Sequence, residues 1–161
     1  MRNLFAKCSE RLGRLHPALF VYLVLFFSYA VLLPQVALEA VIHNEALHIN
    51  GGPSNLPAFG PVGRLIVASL IAPLVETALF QWAPIRLLHT WLRQPAWLAV
   101  LVSAVLFGMG HTYSLGYVVF TFLVGLVLAF GFQAKNYRGG HPYLLICIVH
   151  ALRNVIAVFL M

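Results

Sequence analysis

The sequence predicts an all-α, polytopic bundle of about five transmembrane helices with its N-terminus in the cytoplasm. Composition gives the first reason: 61% of the 161 residues are hydrophobic and 9% are charged, whereas soluble domains carry roughly 25% charged residues. A protein with so few charged residues cannot form a surface that is polar enough to face water. We therefore expect lipid to cover most of its surface. The second reason is that the apolar runs are long and lack the alternation of strands. The third is the placement of basic residues.

Five apolar runs approach or exceed the length of about 20 residues that a helix needs to cross a bilayer. They cover residues 18–42, 62–83, 95–109, 115–132 and 142–161. Pro34 is expected to kink the first span and Pro84 to end the second, because proline lacks the N–H that continues a helix. Residues 1–17 therefore form a basic cytoplasmic N-terminal segment, and residues 18–161 form one transmembrane helical domain.

Basic residues mark alternate ends of the predicted spans. They precede span one, separate spans two and three, and separate spans four and five: Arg2, Lys7, Arg11 and Arg14; Arg86 and Arg93; Lys135 and Arg138. The opposite links carry only Arg64. Because cytoplasmic links are rich in Lys and Arg, the C-terminus is expected outside. The net charge of +6 then reflects membrane orientation, and no nucleic-acid partner is predicted.

Ionisable residues inside these spans are the candidates for function, because burying them in lipid is costly. Glu76 lies well inside span two, His111 closes span three, and span five contains His150, Arg153 and Asn154. His150 and Asn154 are four residues apart and share one helix face, which Arg153 borders.

Proline adds a further polar group near Glu76. Pro73 is expected to free a backbone carbonyl about one turn before Glu76, and water in a cavity is a natural partner for it. Water beside a carboxylate is the setting that hydrolysis requires.

Structural interpretations of the same residues remain open. Glu76 can serve as an ion-pair partner of Arg153, and the pair His150 and Asn154 can form interhelical hydrogen bonds. Phe107 is interpreted as a packing residue. The carboxylates and histidines in links or at span ends are interpreted as solvated: Glu39, Glu45, His16, His43, His48, His89 and His141. Cys8 and Cys147 are expected to remain unlinked, one in the cytoplasm and one in lipid.

Three short motifs, in order, resemble a known family of intramembrane proteases, the CAAX-protease and bacteriocin-processing family, also called the Abi or CPBP family. Its pattern is E-E-x-x-x-R on one helix, F-x-x-x-H on the next, and H-x-x-x-N or H-x-x-x-D on a later one. The corresponding segments here are residues 76–81, 107–111 and 150–154. The resemblance places a protease-like core at about residues 62–161. Thr77 and Gln81 depart from the pattern, standing where it has its second Glu and its Arg.

The resemblance implies that Glu76, His111, His150 and Asn154 are the catalytic residues. Glu76 suits a general base that activates water, and His111 would help to hold that water. His150 and Asn154 would donate to the developing oxyanion. No cofactor is favoured. The alternative is a Zn²⁺ ion bound by Glu76, His111 and His150.

The predicted function is therefore an intramembrane endopeptidase that cleaves membrane-associated peptides or C-terminal tags in a multi-pass protein of the cell membrane, with a prokaryotic inner membrane expected. Its predicted partners are the bilayer and a membrane-associated substrate, whose identity the sequence does not give. The alternative is a non-catalytic membrane partner, an immunity or scaffold protein on the same fold. A weaker third interpretation is a proton-coupled transporter that uses Glu76. Gln81 is expected near the cytoplasmic end of span two, where an arginine would snorkel to the surface.

Overall fold

The computed structural model describes residues 4–42 and 60–160, and within these ranges the chain forms helices and no strand. The predicted all-α polytopic bundle is confirmed. Seven helices are labelled in chain order: α1 Leu4–Gly13, α2 Pro17–Ala30, α3 Leu33–Ile42, α4 residues 60–91, α5 Ala96–Met109, α6 Leu115–Ala134 and α7 Pro142–Leu160. The predictions for His43, Glu45, His48 and the side chain of Glu39 lie outside the described residues.

The first predicted span consists of two helices. A turn at Val31 and Leu32 separates α2 from α3, and Pro34 lies in the first turn of α3. Proline is tolerated in a first turn because the N–H it lacks has no partner there. The interruption therefore precedes Pro34.

The basic N-terminal segment contains the helix α1, which packs against the end of α6. The ammonium group of Lys135 donates hydrogen bonds to the carbonyl oxygens of Gly13 at 2.9 Å and Leu15 at 2.8 Å. The ring of Phe5 meets the edge of Phe130, with centroids 5.2 Å apart. These contacts fix one end of the bundle, where α1 and the link after α6 lie together.

The prediction that span two ends at Pro84 is wrong, because α4 continues to Trp91. Its α-helical turns Gly60–Ile66, Ala72–Glu76 and Ala83–Ile85 alternate with the π-helical turns Val67–Ile71, Thr77–Trp82 and Arg86–Trp91. Pro84 has no N–H to donate to the backbone carbonyls about one turn earlier, which include that of Phe80. The Ser103 hydroxyl donates to that carbonyl. A neighbouring helix thus supplies the missing hydrogen bond, as transmembrane helices with internal prolines require.

Four helical segments in the described ranges are long and apolar enough to cross a membrane: Pro17–Leu38, Val62–Trp91, Leu115–Ala134 and Pro142–Phe159. The remaining predicted span, α5, has 14 residues. At 1.5 Å per residue it is about 21 Å long, less than the roughly 30 Å of a bilayer core. His111, two residues beyond the end of α5, is partly buried.

Glycines allow the helices of the core to approach closely, as their recurrence in the later spans predicts. A Cβ atom added at Gly125 on α6 would lie 3.1 Å from the Cβ of Phe107 on α5, and one at Gly108 would lie 3.1 Å from the Cβ of Phe122. The buried core joins α2, α4, α6 and α7 through Phe20, Val24, Ile85, Leu128, Phe132, Ile146 and Val149. Other large apolar side chains face outward, where lipid would cover them.

Candidate active site

Three polar side chains from three parts of the chain meet inside the bundle. Glu76 lies on α4, His111 follows the end of α5, and His150 lies on α7. One carboxylate oxygen of Glu76, Oε2, lies 3.4 Å from Nε2 of His150 and 3.6 Å from Nε2 of His111. The short length of α5 positions His111 for this contact, because a full-length helix would carry it towards the far surface.

The three side chains are buried to different degrees. The Glu76 side chain is 24% exposed, that of His111 is 14% exposed, and that of His150 is 5% exposed. The carboxylate is therefore reachable from outside, whereas His150 forms the inner wall. This gradient suits a site that water and a substrate enter from the side of Glu76.

His111 has a defined tautomer in its neutral form. Its Nδ1 lies 2.7 Å from the carbonyl oxygen of Phe107, and a carbonyl only accepts, so Nδ1 carries the proton. The neutral ring then presents Nε2 as an acceptor towards Glu76. Two acceptors face each other at 3.6 Å. Two acceptors at this distance need a proton between them. The proton is either on Nε2 of His111 or on a molecule that donates to both acceptors, such as water.

Aromatic rings hold the two histidines in place. The Phe107 ring lies 4.6 Å from the His111 ring and 5.6 Å from the His150 ring, measured between centroids. Tyr117 stacks on His111 at 6.1 Å. Phe80 packs edge-on against Phe107 at 5.7 Å. The sequence predicts Phe107 as a packing residue but does not indicate that its ring contacts both imidazoles, and it does not identify Tyr117 or Phe80.

Asn154 lies one turn beyond His150 and binds a backbone carbonyl. Its Nδ2 donates to the Ala68 carbonyl oxygen at 2.7 Å. Hydrogen bonds in this π-helical turn reach back five residues, as the Ala72 N–H does to the Val67 carbonyl. By the same register, the Ala68 carbonyl would bond to Pro73, which has no N–H. The Ala68 carbonyl is therefore the one that Pro73 frees. It lies about two turns before Glu76, not one as predicted, and its partner is a side chain, not water. Asn154 retains a second amide hydrogen.

Arg153 is not a partner of Glu76 within the described parts of the chain. Its guanidinium carbon lies 5.1 Å from the Tyr29 ring centroid and 4.9 Å from that of Phe120. The residue is 7% exposed, so aromatic faces from α2 and α6 enclose the cation. The structural interpretation that paired Glu76 with Arg153 is wrong.

The two positions that depart from the family pattern lie in the interior. Thr77 and Gln81 are fully buried, and in the described residues neither the hydroxyl nor the side-chain amide has a hydrogen-bond partner. Thr77 neighbours the thiol of Cys147. The expectation that Gln81 lies near the end of its span is wrong, because α4 continues for ten residues to Trp91. An arginine at this position would start from a fully buried site.

Two of the other histidines described have structural contacts. Nδ1 of His16 accepts the Ala18 N–H at 3.3 Å and caps α2, and Nδ1 of His89 donates to the Gln94 carbonyl at 2.9 Å. Cys8 is exposed, and Cys147 is buried with its Sγ 3.7 Å from the Pro73 carbonyl oxygen. None of these residues belongs to the site around Glu76.

The metal alternative requires Glu76, His111 and His150 to surround one ion. Among residues 4–42 and 60–160, no group of three His, Cys, Asp or Glu side chains has the arrangement needed to hold a metal ion. No step of the chemistry proposed below depends on a metal ion.

Comparison with known proteins identifies the family. The family model described as Type II CAAX prenyl endopeptidase Rce1-like matches residues 58–156, which is more than half of the chain. No curated protein and no solved structure matches. The matched region includes Glu76, His111, His150 and Asn154. Together with the apolar helices, the match shows that this multi-pass membrane protein belongs to the type II CAAX prenyl endopeptidase Rce1-like family, as the resemblance to CAAX-processing proteases predicted.

Proposed function

We propose that the chain is an intramembrane endopeptidase in which Glu76 activates a water molecule to hydrolyse peptide bonds of membrane-associated peptides or C-terminal tags. The observation that carries the proposal is the meeting of the Glu76 carboxylate with Nε2 of two histidines at 3.4 and 3.6 Å. A general base needs a water molecule within hydrogen-bond reach and a second group to orient it. The acceptor pair formed by Glu76 and neutral His111 meets both needs.

The reaction begins with proton transfer to Glu76. The water oxygen attacks the carbonyl carbon of the scissile bond while Glu76 takes a proton from the water. The resulting tetrahedral intermediate carries a negative oxygen. When the C–N bond breaks, the proton held by Glu76 passes to the departing amine, so the base returns to its starting state.

His150 and Asn154 are proposed to stabilise the negative oxygen. His150 is the most deeply buried of the set, and its Nδ1 has no hydrogen-bond partner among the described residues. Asn154 is anchored by one amide hydrogen on the Ala68 carbonyl, which leaves the other to donate to substrate. A donor that is fixed before the reaction stabilises charge without reorganising.

The direct test compares two carboxylate substitutions in the purified protein, reconstituted in lipid with fluorogenic membrane peptides. Glu76→Gln should lower the cleavage rate by about 10²–10⁴-fold, the usual contribution of a general base. Glu10→Gln is the matched control, because Glu10 pairs with Arg14 on α1, far along the chain from the site. Equal rates for the wild type and Glu76→Gln would exclude Glu76 as the base.

Metal content distinguishes the two hydrolytic mechanisms. The metal-free mechanism predicts far less than one equivalent of metal in active protein and no loss of cleavage with chelators. A stoichiometric metal that leaves together with activity would establish the alternative, in which Zn²⁺ bound by Glu76, His111 and His150 polarises the water.

A second candidate function is a non-catalytic membrane partner on the same fold. Thr77 and Gln81 favour it, because the family pattern has a charged pair at these positions and both are uncharged and buried here. This alternative predicts no cleavage by the wild type of any peptide that a homologous protease cuts, and unchanged partner binding in Glu76→Gln.

The proposed setting is a prokaryotic inner membrane with the N-terminus in the cytoplasm. Residues 1–17 would then form the cytoplasmic segment and residues 18–161 the transmembrane domain, with the protease-like core at about 62–161. Reporter fusions at both ends test the orientation, and a C-terminal reporter active in the cytoplasm would contradict it.

A further inference from the structure

A basic pocket lies far from the candidate active site, at the end of the bundle where α1 packs. It has a volume of about 440 Å³ and is lined by residues from the last turns of α4 and from the link between α6 and α7: Arg86, His89, Thr90, Asn136, Tyr137 and Arg138. These residues take no part in the contacts around Glu76. The pocket therefore needs an explanation of its own.

Among the described residues, no acidic side chain balances the charge of the pocket. Arg86 and Arg138 bring two cations to its lining, and no described glutamate lines it. The chain has no aspartate and only four glutamates, and of those described, Glu10 pairs with Arg14 and Glu76 faces the histidines. The Nε atom of Arg86 is buried and has no hydrogen-bond partner in the described part of the chain. A buried donor without a partner needs an acceptor from outside the described residues, such as a water molecule or a ligand.

The pocket lies at the level of lipid headgroups. All three tryptophans of the chain fall between residues 82 and 97, and each has an exposed side chain, Trp91 at 70%. Tryptophans of membrane proteins collect at the boundary between the hydrocarbon core and water. Leu87 and Trp91, which alternate with the lining residues on α4, are exposed on the bundle surface. A ligand in the pocket can therefore keep acyl chains in the bilayer.

We propose that this pocket binds the phosphate group of an anionic phospholipid headgroup. Arg86 and Arg138 would contact the phosphate oxygens, which guanidinium groups bind in bidentate fashion. Thr90 and Asn136 supply neutral donors for the remaining headgroup oxygens. The apolar surface beside the pocket favours a lipid over free phosphate, because only a lipid can place a phosphate in the pocket and acyl chains on that surface.

Lipid binding by the full-length protein tests the proposal. The protein would be purified in a mild detergent, supplied with phosphatidylglycerol or phosphatidylcholine, and examined by native mass spectrometry for retained lipid. The wild type should retain phosphatidylglycerol in preference to phosphatidylcholine. Arg86→Gln with Arg138→Gln should weaken retention about 30-fold, since each arginine near an anionic headgroup multiplies affinity about fivefold.

Two further variants and one competition experiment complete the test. Arg93→Gln is the matched control, because Arg93 is an exposed cation at the same end that does not line the pocket, and it should retain lipid as the wild type does. Arg138→Gln alone alters only an exposed link residue, so it covers the case in which the double variant does not fold. Inorganic phosphate is added as a competitor, and it should displace the lipid only weakly.

Two results would overturn the proposal. One is equal retention of phosphatidylglycerol by the wild type, Arg138→Gln and the folded double variant. The other is full displacement by millimolar phosphate, which would assign the pocket to a free anion.

Discussion

Two faces of α4 differ at the same depth in the bundle. On one face, Glu76 is partly exposed and lies opposite His111 and His150. On the other, Thr77 and Gln81 are fully buried and have no hydrogen-bond partner in the described residues. The face with access to the outside carries a charge, whereas the closed face is uncharged. The proposed role of Glu76 as a base agrees with this difference, since a charge in a closed, lipid-surrounded interior is costly unless it is paired.

The largest expected effect comes from introducing a single charge on the closed face. Thr77→Glu or Gln81→Arg alone should destabilise the protein by about 3–5 kcal/mol, the cost of an unpaired buried charge. The double change should recover much of the loss, because the side chains are four residues apart on one helix and can pair. Thermal unfolding in detergent measures the stability, and a cleavage assay measures recovery of activity.

A double-mutant cycle decides whether these two positions couple. Additive destabilisation would show that the side chains do not meet, and the explanation of the paired departure would be wrong. Arg153 does not complicate the cycle in the way that its sequence position suggests, because the rings of Tyr29 and Phe120 enclose its guanidinium group.

The next effect concerns Asn154, which has both a structural and a proposed catalytic role. Asn154→Ala removes the hydrogen bond to the Ala68 carbonyl and should cost about 1 kcal/mol of stability, as interhelical hydrogen bonds in membranes do. Cleavage should fall much further, by about 10²–10³-fold, as for the loss of an oxyanion donor. Rates must be measured on protein that is shown to be folded.

Ser103→Ala is the matched comparison for Asn154→Ala. Ser103 also donates to a backbone carbonyl about one turn before a proline, that of Phe80 before Pro84, but it belongs to no part of the proposed mechanism. Loss of the Ser103 hydrogen bond should lower the stability by a similar amount, about 1 kcal/mol. The cleavage rate should stay within a fewfold of the wild-type rate. If both variants lost activity equally, Asn154 would be a structural residue only.

The smallest effects are expected at the cysteines. Cys8 is exposed on α1, and Cys147 makes a 3.7 Å contact with the Pro73 carbonyl. Replacing either by alanine should leave cleavage intact, because neither has the basic partner that activates a thiolate. Loss of cleavage in either variant at normal protein levels would reopen a cysteine mechanism.

The sequence predicts the fold class and the composition of the site, because both depend on residue type and spacing. Apolar runs define the helices, and the rarity of charge in those runs singles out Glu76, His111 and His150. The i, i+4 spacing places Asn154 below His150. The family match over residues 58–156 agrees with these motifs.

The rest depends on contacts between distant segments. Proline rules predict that α4 ends at Pro84, but the Ser103 hydroxyl on another helix replaces the missing bond and the helix continues. The same reasoning predicts a freed carbonyl near Pro73, but it could not identify Asn154 as the donor to that carbonyl. Asn154 lies 86 residues from Ala68 along the chain. The sequence suggests Arg153 as a partner for Glu76, because the angular position of a residue on its own helix does not show which neighbouring helix the residue faces.

The central claim is that Glu76 and His111 act together on one water molecule, and non-additivity of substitutions tests it most directly. Cleavage rates would be compared for Glu76→Gln, His111→Ala and the double variant in the same lipid. Each single change should slow cleavage by about 10²–10⁴-fold. The double variant should be no slower than the slower single variant, because residues that act as a unit lose their function together. Multiplied losses in the double variant would show that the two side chains work independently and would contradict the account.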